Sequence, residues 1–304
     1  MICLRCRLAI KKTDSEHYGL HTSCFGEWFD VPRSCEFMEL QRKTNTPSSD
    51  GENASPENSS FFQGKFKKYS AVLNHDAYIL KMGQKDAPEL PAVEYLCNQI
   101  GKALAIPVAQ FYFILFENDY VFVTKNFIQP NNPADLQHIY HFRANDRHDC
   151  ESLIHTIFKT TRQPHDVSVF IHTILFDALI GNHDRHGRNL GFIVTPHHMS
   201  LSPIYDNVSY LSLESGNMLK ADFNPTGKIA TQKSNEPSMR DYVEELKRLG
   251  YQKEIENFYH KINLMDIFKL IDESFCTELM KAAIKKLIQK RFEELKNALS
   301  AQAR

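Results

Sequence analysis

Gly181-Asn182-His183-Asp184-Arg185-His186-Gly187-Arg188-Asn189-Leu190-Gly191-Phe192-Ile193-Val194 sets an aspartate, then an asparagine, just ahead of an apolar run with strand character, and Asp206 follows the next apolar segment. Phosphoryl transfer from a nucleotide asks for three such groups. A carboxylate orients the attacking hydroxyl and takes its proton, an amide oxygen holds Mg²⁺, and a second carboxylate on a neighbouring loop holds metal against the phosphates. Asp184, Asn189 and Asp206 fit these roles in that chain order. Leu190, Phe192 and Val194, then Met199, Leu201 and Ile204 across Pro196-His197-His198, read as two short strands joined by a turn, which brings Asn189 and Asp206 to one end of a ribbon. Upstream, Val167, Phe170, Ile171, Ile174, Leu175, Ala178 and Leu179 form an apolar helical stripe that Asp166 can cap and Gly181 can end. The loop is thus expected on a buried helix that fixes its geometry.

A nucleotide site also needs a cation for the α- and β-phosphates, on a strand and held by a helix carboxylate. Lys81 ends the strand-like Tyr78-Ile79-Leu80-Lys81, and Glu94 lies on a segment where Val93, Leu96, Cys97, Ile100 and Leu104 recur at helical spacing. Strand-like pairs flank that helix: Phe66 to Leu73 with Ala77 to Lys81, and Phe111 to Phe116 with Tyr120 to Lys125. Two hairpins around one helix describe the small lobe of a kinase. The phosphate-covering loop is expected at Gln63, Gly64 and Lys65, although a single glycine is sparse for backbone amides that approach phosphate. Adenine is expected to meet the backbone around Lys125-Asn126-Phe127, and His186 to brace the catalytic loop. Alone, a strand-end lysine or a helix glutamate is more often a solvated surface charge.

These readings predict an α+β, two-lobed, protein-kinase-like fold with a small β-rich N-lobe and a larger, mostly helical C-lobe. The expected divisions are residues 1–42 as an N-terminal Cys/His segment, 43–60 as a flexible linker without large apolar residues, 61–128 as the small lobe and 129–304 as the large lobe. In the last helical stretch, Leu279, Ala282, Ala283, Leu287, Phe292 and Leu295 make a stripe for packing on the large lobe rather than for a coiled coil.

With 304 residues and 42% hydrophobic content the chain can bury a sizeable core. A net charge of -1 gives no support to sequence-independent nucleic-acid binding. No run approaches the roughly 20 apolar residues that span a bilayer, and Met1 to Arg7 lacks the apolar region of a signal peptide, so a soluble cytoplasmic protein is expected. Seven scattered cysteines suit reduced thiols. Cys3-x-x-Cys6 followed by His21-x-x-Cys24 has the spacing of a small zinc knuckle; the alternative is three unlinked thiols and a surface imidazole.

Together the motifs resemble the HipA-type serine/threonine kinases, the toxin components of bacterial toxin-antitoxin systems. The family's N-x-D-x-H-x-x-N stands here as Asn182 to Asn189, its Tyr-Asp-x-x-Ser as Tyr205 to Ser209, and its phosphate lysine and helix glutamate match Lys81 and Glu94. The chain lacks room for the extra small domain that precedes the phosphate loop in full-length members, and so resembles HipT, the truncated kinase of three-component systems. The resemblance implies ATP and Mg²⁺ as cofactors, and as partners a HipS-like small protein and a HipB-like DNA-binding antitoxin. It implies an aminoacyl-tRNA synthetase as substrate, a bacterial cytoplasm, and autophosphorylation at Ser60 or Ser59. The family's glycine in that serine loop is absent, which leaves open a catalytically weak, ATP-binding regulatory protein. Gly-Asn-His-Asp also occurs in metallophosphoesterases, but their upstream Asp-x-His strand, Gly-Asp block and Gly-His motifs are missing here.

Overall fold

The computed structural model describes residues 1–11, 13–42, 67–129, 133–142, 148–187, 189–213 and 229–301. The expected linker and the positions Ser59, Ser60, Gln63, Gly64 and Lys65 lie outside the described residues.

The chain opens with a small hairpin, β1 (Glu16–His17) and β2 (Leu20–His21), which runs into α1 (Thr22–Phe29). Strands β3 (Met38–Arg42), β4 (Lys67–Leu73) and β5 (Asp76–Met82) follow, then α2 (Leu90–Ala103), β6 (Phe111–Phe116) and β7 (Asp119–Lys125). The five form one antiparallel sheet in the order β3-β4-β5-β7-β6. The two hairpins and the helix between them occur as the sequence pattern predicts.

The N-terminal segment is not a separate unit. Strand β3 is the sheet's edge, and Phe25, Phe29 and Phe37 are buried, with Phe29 stacked on Tyr112 of β6 at 4.0 Å between ring centroids. Aromatic mass, which dominates small cores, draws residues 1–42 onto one face of the sheet. Helix α2 brings Val93, Leu96, Cys97 and Ile100 into the core beside β6 and β7.

The large lobe begins with a strand the sequence pattern did not disclose, β8 (Asp135–His138), and a 3₁₀ turn at Ile139–Phe142. Helices α3 (Cys150–Thr161) and α4 (Pro164–Ile180) lead to the predicted hairpin of β9 (Gly191–Val194) and β10 (Met199–Leu201), whose sheet has the order β10-β9-β8. After a second 3₁₀ turn at Tyr210–Leu213 come α5 (Met239–Arg248), α6 (Gln252–Lys261), α7 (Leu264–Asp272) and α8 (Glu278–Ser300). Leu279 is 40% exposed at the start of α8, while Met280, Ala283, Ile284, Leu287, Ile288 and Leu295 form its buried face.

Helix α4 is buried on nearly all sides, not along one stripe, because α3, α5, α6 and α8 all pack on it. Pro164 opens it, and Asp166 does not cap it: its carboxylate accepts the Leu201 amide at 3.0 Å and ties β10 to the helix. Gly181 ends α4 in the left-handed region at φ 71°, where a Cβ would lie 2.9 Å from both Leu287 and Tyr210. Among the described residues no helix is long and apolar enough to cross a membrane.

Candidate active site

Strand pairing sets the cation side. The β4–β5 register puts Lys68 opposite Lys81, so both side chains leave the same face of the sheet. Lys81 Nζ lies 2.5 Å from Glu94 Oε1 on α2 and also donates to Asp206. Lys68 Nζ stands 3.6 Å from the second Asp206 oxygen. Lys68, Lys81 and Glu94 are all nearly inaccessible to solvent. The structure thus brings the sequence-predicted Lys81, Glu94 and Asp206 into direct contact and adds Lys68 to them.

The electrostatics follow from burial and pairing. Desolvation pushes the Lys68 ammonium below its ordinary value despite the nearby Asp206, whereas Asp206 and Glu94 together outweigh desolvation at Lys81 and raise it. At Asp206 burial acts to raise the carboxyl, but Lys68, Lys81 and Arg185 prevail and hold it well below the usual carboxylate range. Glu94 goes the other way: desolvation exceeds the pull of Lys81, and its carboxyl is pushed up to about 7. The Asp206 backbone is left-handed at φ 55°, uncommon outside glycine and a frequent mark of functional loops.

The catalytic loop is held from beneath. Arg185, 1% exposed, makes a bidentate pair with Asp177 of α4 at 2.8 and 3.0 Å and donates to the Tyr205 carbonyl at 2.8 Å and to Asn207 Oδ1 at 2.5 Å. Asn182 donates to Asp177 at 2.9 Å and accepts the Asp184 amide at 3.1 Å. The loop thus follows its buried arginine, and the Asp184 carboxylate is left 69% exposed with His186 Nε2 3.9 Å away. Asn189 donates its amide to the Asp184 carbonyl at 2.6 Å, which leaves Oδ1 as the side-chain atom able to hold a cation. The hard oxygens of Asn189 and Asp206 suit Mg²⁺.

Sequence reasoning missed Lys68, Asp177, Arg185, Asn98 and Asn207. The register of the β4–β5 hairpin is the signal that could have found Lys68, since a turn at Asn74-His75 places position 68 across from 81. Lys125, whose backbone is expected at the adenine, turns its side chain away from the Lys81 face. It pairs across the sheet with Tyr78, on the face away from Lys81, and its ammonium is bound to Asp76. Its amide donates to Gln110 O at 2.8 Å and that of Asn126 to Ala77 O at 2.9 Å. Phe127 does reach the cleft, where it and Ile128 pack on a small cluster of Ile79, Ala109, Leu136 and Tyr205.

A family model described as the HipA-like C-terminal domain matches residues 60–290. The chain belongs to the HipA-like C-terminal domain family. This HipA-like chain also resembles solved kinase structures in fold. The Helicobacter pylori proinflammatory kinase CtkA shares 18% identity over 77% of this chain and 93% of its own, with a TM-score of 0.64. HipA of Shewanella oneidensis MR-1, solved with HipB and operator DNA, shares 16% identity over 90% of this chain and 77% of its own, with a TM-score of 0.59. No curated protein matches the chain.

Proposed function

We propose that the protein is an ATP-dependent serine/threonine protein kinase of the HipA type. The observation that supports this best is the meeting of Lys81, Glu94 and Asp206, from three distant elements, beside a loop that carries Asp184 and Asn189. Asp184, the exposed carboxylate, orients a substrate hydroxyl and accepts its proton as that oxygen bonds to the γ-phosphorus and the bond from γ-phosphorus to the departing ADP oxygen breaks. Lys68 and Lys81 supply positive charge to the phosphates in a water-poor cleft, where electrostatic stabilisation is strong. Ile79, Leu136, Phe127 and Tyr205 offer the apolar surface a purine requires. Asn189 and Asp206 would hold Mg²⁺, which neutralises phosphate charge when bound.

Within this reading, the protein corresponds to HipT, and its partners are a HipS-like small protein and a HipB-like antitoxin. The substrate class is an aminoacyl-tRNA synthetase in a bacterial cytoplasm, with translation arrested as the consequence. HipA of Shewanella oneidensis, found with HipB and operator DNA, supports the antitoxin partner by analogy. Autophosphorylation at Ser60 or Ser59 belongs to the same proposal.

One observation favours a second reading, a weak kinase-like ATP binder: Asp206 is engaged by both lysines, so nucleotide and metal must displace strong internal pairs. Incubation with γ-labelled ATP and Mg²⁺, beside Asp184→Asn, separates the two. Transfer to protein that the variant abolishes selects the kinase; ATP binding without transfer selects the second reading. Phosphoproteomics after expression, against the same variant, then identifies the target.

A further inference from the structure

The start of the chain holds a second convergence that phosphoryl transfer does not use. The sulfurs of Cys3, Cys6 and Cys24 and a ring nitrogen of His21 all lie within 4.8 Å of one another. His21 Nδ1 is 3.5 Å from Cys6 Sγ and 3.8 Å from Cys24 Sγ. A tetrahedral zinc with Zn–S of about 2.3 Å and Zn–N of about 2.0 Å has S···N edges of about 3.5 Å. The two S···N distances match such edges, and all four ligand atoms lie close enough to converge on one ion.

The backbone prepares each ligand. The Cys3 amide donates to Leu8 O at 2.9 Å and the Arg7 amide to Cys3 O at 3.0 Å, and Arg7 is left-handed at φ 63°, which closes the Cys3-Leu4-Arg5-Cys6 turn. His21 ends β2, and Cys24 lies in the first turn of α1, so two adjacent elements present these ligands. His21 Nε2 lies 3.4 Å from the Ala9 carbonyl, which can only accept; the proton is thereby placed on Nε2 and the lone pair on Nδ1, facing the sulfurs. Four protein ligands make a closed, structural set with no position left for substrate.

We propose that Cys3, Cys6, His21 and Cys24 bind one zinc ion, and that the knuckle so formed fastens the small lobe to the large lobe through Arg7. Arg7 directly follows a ligand. Its guanidinium sits 3.6 Å from the centroid of the Phe275 ring and donates to Glu273 O at 2.7 Å, both on the segment between α7 and α8. Phe275 in turn packs on Tyr95, Phe113 and Tyr120 of the small lobe. On the other side of the knuckle, Leu4 donates its amide to Gly19 O and Leu115 of β6 to Tyr18 O. A fixed metal centre turns a short N-terminal peptide into a rigid strap between these two anchorages.

The test uses the full chain, purified under reducing conditions and dialysed without chelator. Elemental mass spectrometry is expected to find about one zinc per chain. Cys6→Ser and Cys24→Ser fall to background, whereas His21→Cys keeps its metal because a fourth thiolate completes the set, a pattern that general misfolding does not produce. Co²⁺ exchanged into the wild type gives thiolate charge-transfer and tetrahedral d–d bands. Arg7→Ala keeps zinc yet melts at lower temperature, as does wild type stripped of metal. The metal site is overturned by a folded wild type that takes up neither zinc nor Co²⁺, by a Cys3–Cys6 disulfide in the native protein, or by full zinc retention in both serine variants. The strap is overturned if Arg7→Ala and metal removal leave the melting temperature unchanged.

Discussion

Asn207 donates its side-chain amide to Asn98 Oδ1 at 3.1 Å, and this hydrogen bond joins the loop that carries Asp206 to the helix that carries Glu94. Asn98 donates onward to the Glu94 carbonyl at 2.8 Å, and Asn207 accepts from Arg185. A buried polar chain thus runs from Asp177 on α4 through Arg185, Asn207 and Asn98 to α2. It ties together the backbone positions of the segments that carry Asp184, Asp206 and Glu94.

Asp184→Asn isolates chemistry from folding. The carboxylate is largely exposed and its loop is held by Asn182 and Arg185, so the melting temperature should stay close to wild type. Phosphate transfer should fall by about 10² to 10⁴-fold with loss of the base. Labelled-ATP assays and a thermal melt on the same preparation check both halves; a large drop in melting temperature contradicts the support assigned to Arg185.

Arg185→Lys is the sharper test of that support. A lysine has no planar fork for Asp177 and cannot also reach the Tyr205 carbonyl and Asn207. The buried Asp177 carboxylate keeps a cation but loses its bidentate partner, and the hydrogen bonds lost cost about 1 to 3 kcal/mol. Urea denaturation should show a lower midpoint with an unchanged slope. Wild-type stability would mean that Arg185 is replaceable.

The pH dependence of stability has two opposing parts. Asp206 is held below its unfolded value by the lysines, so its contribution is present above the unfolded pKa of about 3.9 and is lost as pH falls below it. Glu94 is raised from 4.5 to about 7, so the folded state binds the extra proton and stability declines as pH rises between those values. Glu94→Gln should flatten the second slope and leave the acid limb, while weakening ATP binding through a misplaced Lys81. Melting curves from pH 3 to 8 on both proteins decide it; identical profiles would remove Glu94 as the source.

Gly181→Ala probes the end of α4. The left-handed backbone costs an alanine about 1 to 2 kcal/mol, and its methyl would also meet Leu287 and Tyr210 at 2.9 Å. A total loss of about 2 kcal/mol or more is expected by urea denaturation. Tyr210 stacks on His183 at 4.7 Å between ring centroids, so the displacement should reach the catalytic loop and lower phosphate transfer as well.

Some of this was legible because local rules act over a few residues. The alternation of Leu190, Phe192 and Val194, the helical recurrence from Val93 to Leu104, and the left-handed stop at Gly181 all reflect backbone geometry within a turn or a pleat. Those rules locate β9, α2 and the end of α4. They do not say which face the Lys125 side chain leaves; pairing with Tyr78 put it on the face away from Lys81. Asp166 carries a cap signal, yet the nearby Leu201 amide claimed its carboxylate.

The order of chemistry along the chain, Lys81 then Glu94 then Asp184, Asn189 and Asp206, is a property of the amino-acid string and needed no coordinates. Which charge meets which did. Lys68 became a cation of the cleft only through strand register, Arg185 the brace of the loop only because α4 is buried on all sides, and residues 1–42 part of the small lobe only because their aromatic side chains found β6. Such contacts join positions far apart in sequence. Their energy depends on desolvation and on partners supplied by other elements, which exist only once the chain has packed.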